Sequence, residues 1–177
     1  MAGKIHEEQH LVTHYEGDQT GTMKVPMIIN AMLLTSDNQS QQLGVGNAVV
    51  DKTGLGWVIT QYVLKIKRLP RVGEQIVVGT RAVNNNDYFC QRDFWVKDQK
   101  GEVIVENTSI FVLMDRTTRR MHKLLPEIIE PYEADRVKRI VRLPKLETIE
   151  GASVAKDFSV EYFDIDPNRH VNNAKYF

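Results

Sequence analysis

A short segment near residue 170 brings a carboxylate, an amide and an imidazole together at alternate positions: Asp166, Asn168 and His170. An imidazole beside a carboxylate can transfer a proton near neutral pH. Pro167 and the Asn and Asp side chains favour a turn followed by a helix N-terminus, where backbone N–H groups can bind a carbonyl or an anion. The same pattern is equally typical of side chains that merely cap a helix, with His170 as a polar residue of its first turn.

The composition is that of a globular protein with an ordinary core. The chain has 177 residues, 42% hydrophobic and 26% charged, which is enough for one domain or for one domain and part of another. Lys and Arg total 23 and Asp and Glu total 23, a balance that argues against a general nucleic-acid or membrane-surface binder. The sequence shows no signal-peptide, transit-peptide or membrane-spanning pattern. We therefore expect a cytoplasmic protein.

Cysteine and histidine offer little metal chemistry. Cys90 is the single cysteine, which excludes an internal disulfide and a cysteine-rich metal site. The histidines outside the 166–170 segment lack the paired spacing with a carboxylate that a metal site needs. They are His6, His10, His14 and His122. The sequence thus predicts neither a metal nor a cofactor.

Helical periodicity follows a weak first strand, which we place at residues 10–15. Apolar side chains recur at positions i, i+3, i+4, i+7 and i+8: Val25, Ile28, Ile29, Met32 and Leu33. We predict a long amphipathic helix with Pro26 in its first turn, Thr22 as its cap and Gly44 or Gly46 at its end. Its later part, residues 36–42, is polar, so that half lies on the surface or lines a wet space.

Strand patterns dominate the next sixty residues. Four apolar-alternating runs are separated by turn signals, and they span residues 57–67, 74–83, 88–97 and 102–115. The last two flank residues 98–101, a favourable hairpin connection. One long helix followed by mostly antiparallel strands predicts an α+β domain with the helix packed on one face of the sheet.

The chain after residue 133 changes character. A short helix is expected between residues 126 and 133, which ends an N-terminal domain spanning 1–133. Residues 134–155 are charged and weakly periodic, typical of an interdomain linker. Residues 156–177 resemble the opening of a second copy of the first unit and stop soon after a helix begins near His170. We expect the chain to be a portion of a longer polypeptide; the alternative is a terminal helix docked on the first domain.

Residues 166–176, DPNRHVNNAKY, resemble the D-x-N-x-H-V-N-N-x-K-Y signature of the acyl-acyl-carrier-protein (acyl-ACP) thioesterases, the plant and bacterial oleoyl-ACP hydrolase group. Further family segments occur in the same order: GTM at 21–23, GWV at 56–58, QRDFWVKD at 91–98, GEV at 101–103 and TRRM at 118–121. The resemblance covers nearly the whole chain. Its order and spacing make it specific.

The resemblance implies a fold and an activity. The family has two tandem hotdog domains, each a long helix wrapped by an antiparallel sheet, so this chain would hold the first domain and a truncated second one. Members of the family hydrolyse the thioester of long-chain acyl-ACP, which releases free fatty acid and ends elongation in fatty acid biosynthesis. Asp166, Asn168 and His170 match the family's catalytic positions. A further acidic residue and a cysteine of the family's site would lie after residue 177.

We expect the acyl chain to lie between helix and sheet. The candidates that border it are Ile29, Met32, Leu33 and Trp57, although core packing is the more common role for residues of this kind. Cys90 is a poor nucleophile because it lies within a strand of the first domain. Three basic clusters are candidates for contact with the acidic carrier protein or are simply solvated faces: residues 65–71, 116–120 and 136–142.

Two other functions fit the same sequence. One is a hotdog thioesterase that acts on acyl-coenzyme A, and the other is a hotdog module that binds acyl chains without turnover. Assays with acyl-ACP and acyl-coenzyme A distinguish an acyl-ACP thioesterase from an acyl-coenzyme A thioesterase. A binding module would bind acyl chains without hydrolysis, and replacing His170 would not change that binding. We also expect the 177-residue chain by itself to be inactive. A homodimer is compatible with the sequence. The sequence does not define which acyl chain is preferred.

Overall fold

The computed structural model describes residues 3–147, 151, 156–166 and 170–176. Within these residues seven strands form one sheet: β1 (Ile5–Leu11), β2 (Leu55–Ile66), β3 (Gln75–Asn85), β4 (Phe89–Lys97), β5 (Val103–Asp115), β6 (Met121–His122) and β7 (Asp135–Arg136). The α-helices are α1 (Val25–Gln42), α2 (Asn47–Asp51) and α3 (Pro126–Ile129). Short 3-10 turns lie at His14–Glu16, Glu130–Tyr132, Tyr162–Asp164 and Asn173–Tyr176.

The five long strands run in the order β1-β3-β4-β5-β2, and every neighbouring pair is antiparallel. The β4–β5 hairpin closes as predicted, because the Asp98 carboxylate accepts the N–H groups of Lys100 and Glu102 at 2.9 and 3.0 Å. Gly101 adopts φ 80° there, a left-handed conformation that glycine takes without strain. This sheet wrapped around α1 is the hotdog arrangement that the resemblance implied.

Helix α1 is stabilised because its apolar side chains pack against the sheet and form the core. Ile28 and Met32 are almost fully buried, with 0% and 1% exposure, and pack with Val78, Phe94 and other inward-facing residues. Pro26 lies in the first turn as predicted. Gly44 terminates the helix two residues after Gln42. The N–H groups of Gly44 and Val45 donate to carbonyls of the last turn at 3.0 and 2.9 Å, a Schellman motif.

The prediction of Thr22 as the helix cap was wrong. The residue before the helix is Lys24, which makes no capping bond through its side chain. Thr22 instead lies in an upstream turn, where its hydroxyl and N–H contact the Asp18 carboxylate. The first strand also differs from the prediction of residues 10–15, since β1 spans Ile5–Leu11 and pairs with β3.

Strand β2 departs from the predicted alternation at one point. Its pairing with β5 shifts register between Ile59 and Gln61, which leaves Thr60 in a bulge. Thr60 is exposed, and its hydroxyl donates to the Ile110 carbonyl at 3.2 Å. A bulge adds one residue to one strand and therefore turns the following side chains to the other face.

The C-terminal part contains less helix than predicted. Among the described residues, Ile165 and Val171 form an isolated antiparallel bridge, and a 3-10 turn begins at Asn173 instead of a helix at His170. The start of the predicted linker is ordered against the sheet, because β7 pairs with β3 in parallel. In the part of the chain that the structure describes, no helix has the length and apolar character needed to cross a membrane.

Candidate active site

A cavity of about 440 Å³ opens between α1, the sheet and the C-terminal segment. Helix α1 contributes Leu33 and three polar residues of its later part, Ser36, Asp37 and Ser40. Strands β2 to β5 supply the opposite wall, and the C-terminal segment supplies residues 166, 170, 171, 173 and 176. The polar half of the helix, for which the sequence left two interpretations, therefore lines the cavity.

Two of the four predicted acyl-binding residues reach this cavity. Leu33 and Trp57 line it, and the Trp57 ring packs edge-on against Phe111 at 6.3 Å between centroids. Ile29 and Met32 do not line it and are buried, with 2% and 1% exposure. They occupy the middle of the apolar stripe, which faces the sheet, whereas Leu33 lies on its flank.

A buried arginine, Arg92, contributes to the polar part of the cavity wall. Arg92 donates from Nη1 to Gln39 Oε1 at 2.7 Å and to Thr80 Oγ1 at 3.0 Å. Its guanidinium lies 4.9 Å from the centre of the Tyr132 ring, whose hydroxyl shares a 2.6 Å hydrogen bond with Ser40. Burial lowers the pKa of Arg92 and raises the pKa of Tyr132.

Arg92 was missed as a site residue, although the sequence contains the signal. Arg92, Phe94 and Val96 alternate along β4, and all three are buried. An arginine in phase with apolar inward-facing residues is unusual because a buried charge needs polar partners. The alternation alone therefore predicts a polar cluster inside the domain.

Cys90 also lines the cavity and remains a poor nucleophile. Burial raises the pKa of its thiol to about 12, although the nearby charge of Arg92 acts in the opposite direction. A thiol with that pKa carries almost no thiolate at neutral pH, and the thiolate is the reactive form. The geometry agrees with the interpretation drawn from the sequence.

Asp166 and His170 reach the mouth of the same cavity. The bridge between Ile165 and Val171 closes a tight loop, in which the Asp166 N–H donates to the His170 carbonyl at 2.8 Å. The His170 N–H lies 3.3 Å from Asp166 Oδ1. Asn168, the third predicted catalytic residue, lies outside the described residues.

Asp164 holds the base of this loop. Its carbonyl accepts the Asn172 N–H at 2.7 Å, and its carboxylate accepts the Glu161 N–H at 2.9 Å. The N–H of Glu161 and the ammonium of Lys175, which is 3.0 Å away, hold the pKa of Asp164 below its usual range. Local hydrogen bonds therefore position Asp166 and His170.

Two further polar side chains meet this loop, and sequence reasoning did not assign either to the site. Nη1 of Arg119 lies 2.7 Å from Nε2 of His170. The Asn173 side chain lines the cavity, and its buried Nδ2 has no hydrogen-bond partner among the described residues. The site thus combines a carboxylate, an imidazole and an unsatisfied amide donor.

Comparisons with known proteins match nearly the whole chain. Residues 3–132 match the family model of the acyl-ACP thioesterase N-terminal domain, and residues 147–177 match the C-terminal domain. The acyl-[acyl-carrier-protein] hydrolase FATB3 of Cuphea viscosissima is 30% identical over 93% of this chain and 43% of its own length. The FATB2 hydrolase of the same plant is 27% identical over 98% of this chain and 46% of its own length.

Solved structures show the same fold. A protein of Lactobacillus plantarum assigned as an oleoyl thioesterase is 43% identical and superimposes with a TM-score of 0.92 over 98% of this chain and 69% of its own. The 12:0-ACP thioesterase of Umbellularia californica is 23% identical, with a TM-score of 0.80 over 97% of this chain and 72% of its own.

The chain spans about half the length of the curated relatives it matches. The match to the N-terminal domain model by itself covers most of the 177 residues. This chain belongs to the acyl-ACP thioesterase family.

Proposed function

We propose that the protein hydrolyses the thioester of long-chain fatty acyl-ACP and so releases free fatty acid and ends chain elongation in fatty acid biosynthesis. The observation that carries this proposal is the position of Asp166 and His170 at the mouth of a cavity between helix and sheet. Family membership adds the substrate class, because the curated relatives are acyl-ACP hydrolases by name.

In the proposed reaction, water attacks the thioester carbonyl carbon and the carbon–sulfur bond breaks. His170 and Asp166 orient this water, and its proton leaves to one of these groups as the new carbon–oxygen bond forms. The carrier thiolate departs and takes up a proton. Asn168 and the unsatisfied Asn173 amide are the donors we assign to the developing oxyanion.

The acyl chain would enter the cavity past Leu33 and Trp57. Each methylene group that leaves water contributes about 0.8 kcal/mol, so an apolar wall favours long chains. Ile29 and Met32 would act from behind this wall, since both are buried on the side of the helix that faces the sheet. The preferred chain length then depends on how far the cavity extends beside the polar wall at Arg92.

We further propose the domain organisation that the sequence predicted. Residues 1–133 form the N-terminal hotdog domain, residues 134–155 form a linker, and residues 156–177 begin a second, catalytic hotdog domain in tandem with the first. The partner is an acyl carrier protein, which we expect to contact one of the basic clusters. We expect the protein to act in the cytoplasm, alone or as a homodimer.

The test is hydrolysis of oleoyl- and palmitoyl-ACP by the full-length protein, with and without His170→Ala. We expect the wild type to release free fatty acid and the variant to lose at least about a hundredfold in rate, the size typical of a lost proton-transfer group. His14→Ala is the matched control, because His14 is exposed and distant in sequence from the loop.

Three outcomes would contradict the proposal. Turnover of acyl-coenzyme A with none of acyl-ACP would identify a coenzyme A thioesterase of the same fold. Acyl binding without turnover would identify a binding module. Full activity of His170→Ala would remove the imidazole from the mechanism.

A further inference from the structure

We propose that Arg119 is a positioning residue for His170, and that it holds the imidazole neutral with its hydrogen on Nδ1. This inference rests on the proposed function, since it refines the part that His170 takes in hydrolysis. It assigns a task to a residue that the predicted N-terminal domain contributes to a site in the predicted second domain.

The contact itself fixes the direction of the hydrogen bond. Arg119 Nη1 lies 2.7 Å from His170 Nε2. A guanidinium has five N–H donors and no acceptor, and it keeps its proton in proteins. The imidazole nitrogen in this contact must therefore be the acceptor. A ring whose Nε2 accepts is neutral and carries its hydrogen on Nδ1.

The backbone at Arg119 supplies a second, independent observation. Arg119 adopts φ 58°, in the left-handed region that residues other than glycine rarely occupy. It lies in the turn between β5 and β6, where the Asp115 carboxylate accepts the N–H groups of Thr117 and Thr118 at 2.9 and 2.7 Å. The Arg119 N–H donates to the Asp115 carbonyl at 2.9 Å.

The β4–β5 turn shows what this chain uses when the side chain has no task. It is one residue shorter but also contains an aspartate that accepts two N–H groups, and its left-handed position is Gly101. The β5–β6 turn has an arginine at the left-handed position instead. Strain that persists where glycine would relieve it is typical of a residue whose side chain has a function.

The chemical consequence is that His170 and Asp166 take different roles in the reaction. With Nε2 occupied by Arg119, the ring nitrogen left for water or the thioester is Nδ1, which donates. His170 then orients the water or polarises the carbonyl, while the proton of the attacking water goes to a carboxylate, which we assign as Asp166. The guanidinium also restricts the ring to one orientation, because the Arg119 turn is fixed by Asp115.

The decisive variants are Arg119→Gly and Arg119→Lys in the full-length protein. Glycine removes the guanidinium and suits the left-handed backbone, so the turn stays folded. Lysine keeps a cationic donor. The matched control is Glu133→Gly, because Glu133 is the other described non-glycine residue with positive φ, at 56°.

The first readout is nitrogen NMR of the His170 ring, with the signals assigned by their loss in His170→Gln. We expect the Nδ1–H tautomer in the wild type and in Arg119→Lys, and a shift towards the Nε2–H tautomer in Arg119→Gly. A wild-type ring that carries its hydrogen on Nε2 overturns the proposal, whether or not the protein hydrolyses acyl-ACP.

The second readout is steady-state hydrolysis of acyl-ACP. We expect Arg119→Gly to lower kcat by about 10- to 100-fold, the range for losing one strong hydrogen bond to a reacting group. Arg119→Lys should recover most of this loss, and Glu133→Gly should match the wild type. A rise in KM with unchanged kcat would instead show that Arg119 contacts the carrier protein, and would overturn the positioning role.

These results separate the two proposals. If the wild type hydrolyses no thioester but shows the Nδ1–H tautomer, the function fails and the Arg119 contact stands. If His170→Ala is inactive while Arg119→Gly has wild-type kcat and tautomer, the function stands and the Arg119 contact fails.

Discussion

The two polar sides of the cavity are held in different ways. Arg92 is 7% exposed and bonds to residues that are distant in sequence, Gln39 on α1 and Thr80 on β3. His170 is exposed, and the backbone hydrogen bonds of its own loop join residues at most eight positions apart. The first side exists only when helix and sheet are packed, whereas most of the second is local.

Because of this difference, we expect the Arg92 side to affect the stability of the fold and the His170 side to affect the reaction. A buried charge with fixed partners is costly to disturb, since its partners lose their hydrogen bonds as well. An exposed imidazole contributes little to folding and is open to water. We therefore expect changes at Arg92 to alter the free energy of unfolding, and changes at His170 to alter turnover.

The largest expected effect on stability is that of Arg92→Ala. It leaves the Gln39 carbonyl and the Thr80 hydroxyl without their donor and removes packing from Tyr132, so we expect a loss of about 2–4 kcal/mol in the free energy of unfolding. Urea denaturation measures this. His170→Ala is the comparison, with a change within about 0.5 kcal/mol. Equal losses in the two variants would break the distinction between the two sides.

The reactivity of the Cys90 thiol tests whether the Arg92 side of the cavity is shielded from water. Because burial raises its pKa to about 12 from an ordinary 9.0, the thiol should react with iodoacetamide at pH 8 at least about tenfold more slowly in the folded protein than in urea. Mass spectrometry follows the reaction. The unfolded thiol ionises from about pH 9, so stability from this group should fall above that pH. Rapid alkylation of the folded protein would show that water reaches this wall.

The smallest expected effect is that of Asp164→Asn, which changes a buried carboxylate at the base of the His170 loop. The pKa of Asp164 is lowered from 3.8 by the Glu161 N–H and by Lys175. Its contribution is therefore present above pH 3.8 and is lost as the pH falls through the lowered value. At neutral pH we expect the variant to weaken hydrogen-exchange protection of the Asn172 amide, with the global free energy of unfolding unchanged. A global loss of stability would show that the loop is coupled to the core.

Periodicity in the sequence was sufficient to predict the helix and the four long strands that follow it along the chain. Val25 to Leu33 predicted α1, and the turn at Asp98 predicted the β4–β5 hairpin, because both patterns depend on neighbours in the chain. The first strand and the bulge at Thr60 were not predicted correctly. Both depend on pairing with β3 or β5, which lie far along the chain.

The residues of the candidate site also divide into those with local partners and those with partners far along the chain. Asp166 and His170 were found because five consecutive positions contain them, and the structure places both at the cavity. Their catalytic role stays a prediction, as does that of Asn168. Arg92 and Arg119 were missed as site residues because their partners lie 53 and 51 positions away. The alternation along β4 marks Arg92 as inward-facing, but no local pattern identifies the distant partners of either arginine, because those contacts arise from the fold.

Strand β7 has a consequence for how the site is assembled. Asp135 and Arg136 pair with Asn84 and Asn85, and Val137 N–H donates to the Asn85 carbonyl at 2.8 Å. Since residues 84 and 85 line the cavity, the segment that leads to the 166–170 loop starts beside the place where that loop returns. Anchoring one end of a connecting segment near a site raises the effective concentration of its other end there. Pairing of β7 with β3 therefore starts the connection at the cavity to which Asp166 and His170 return.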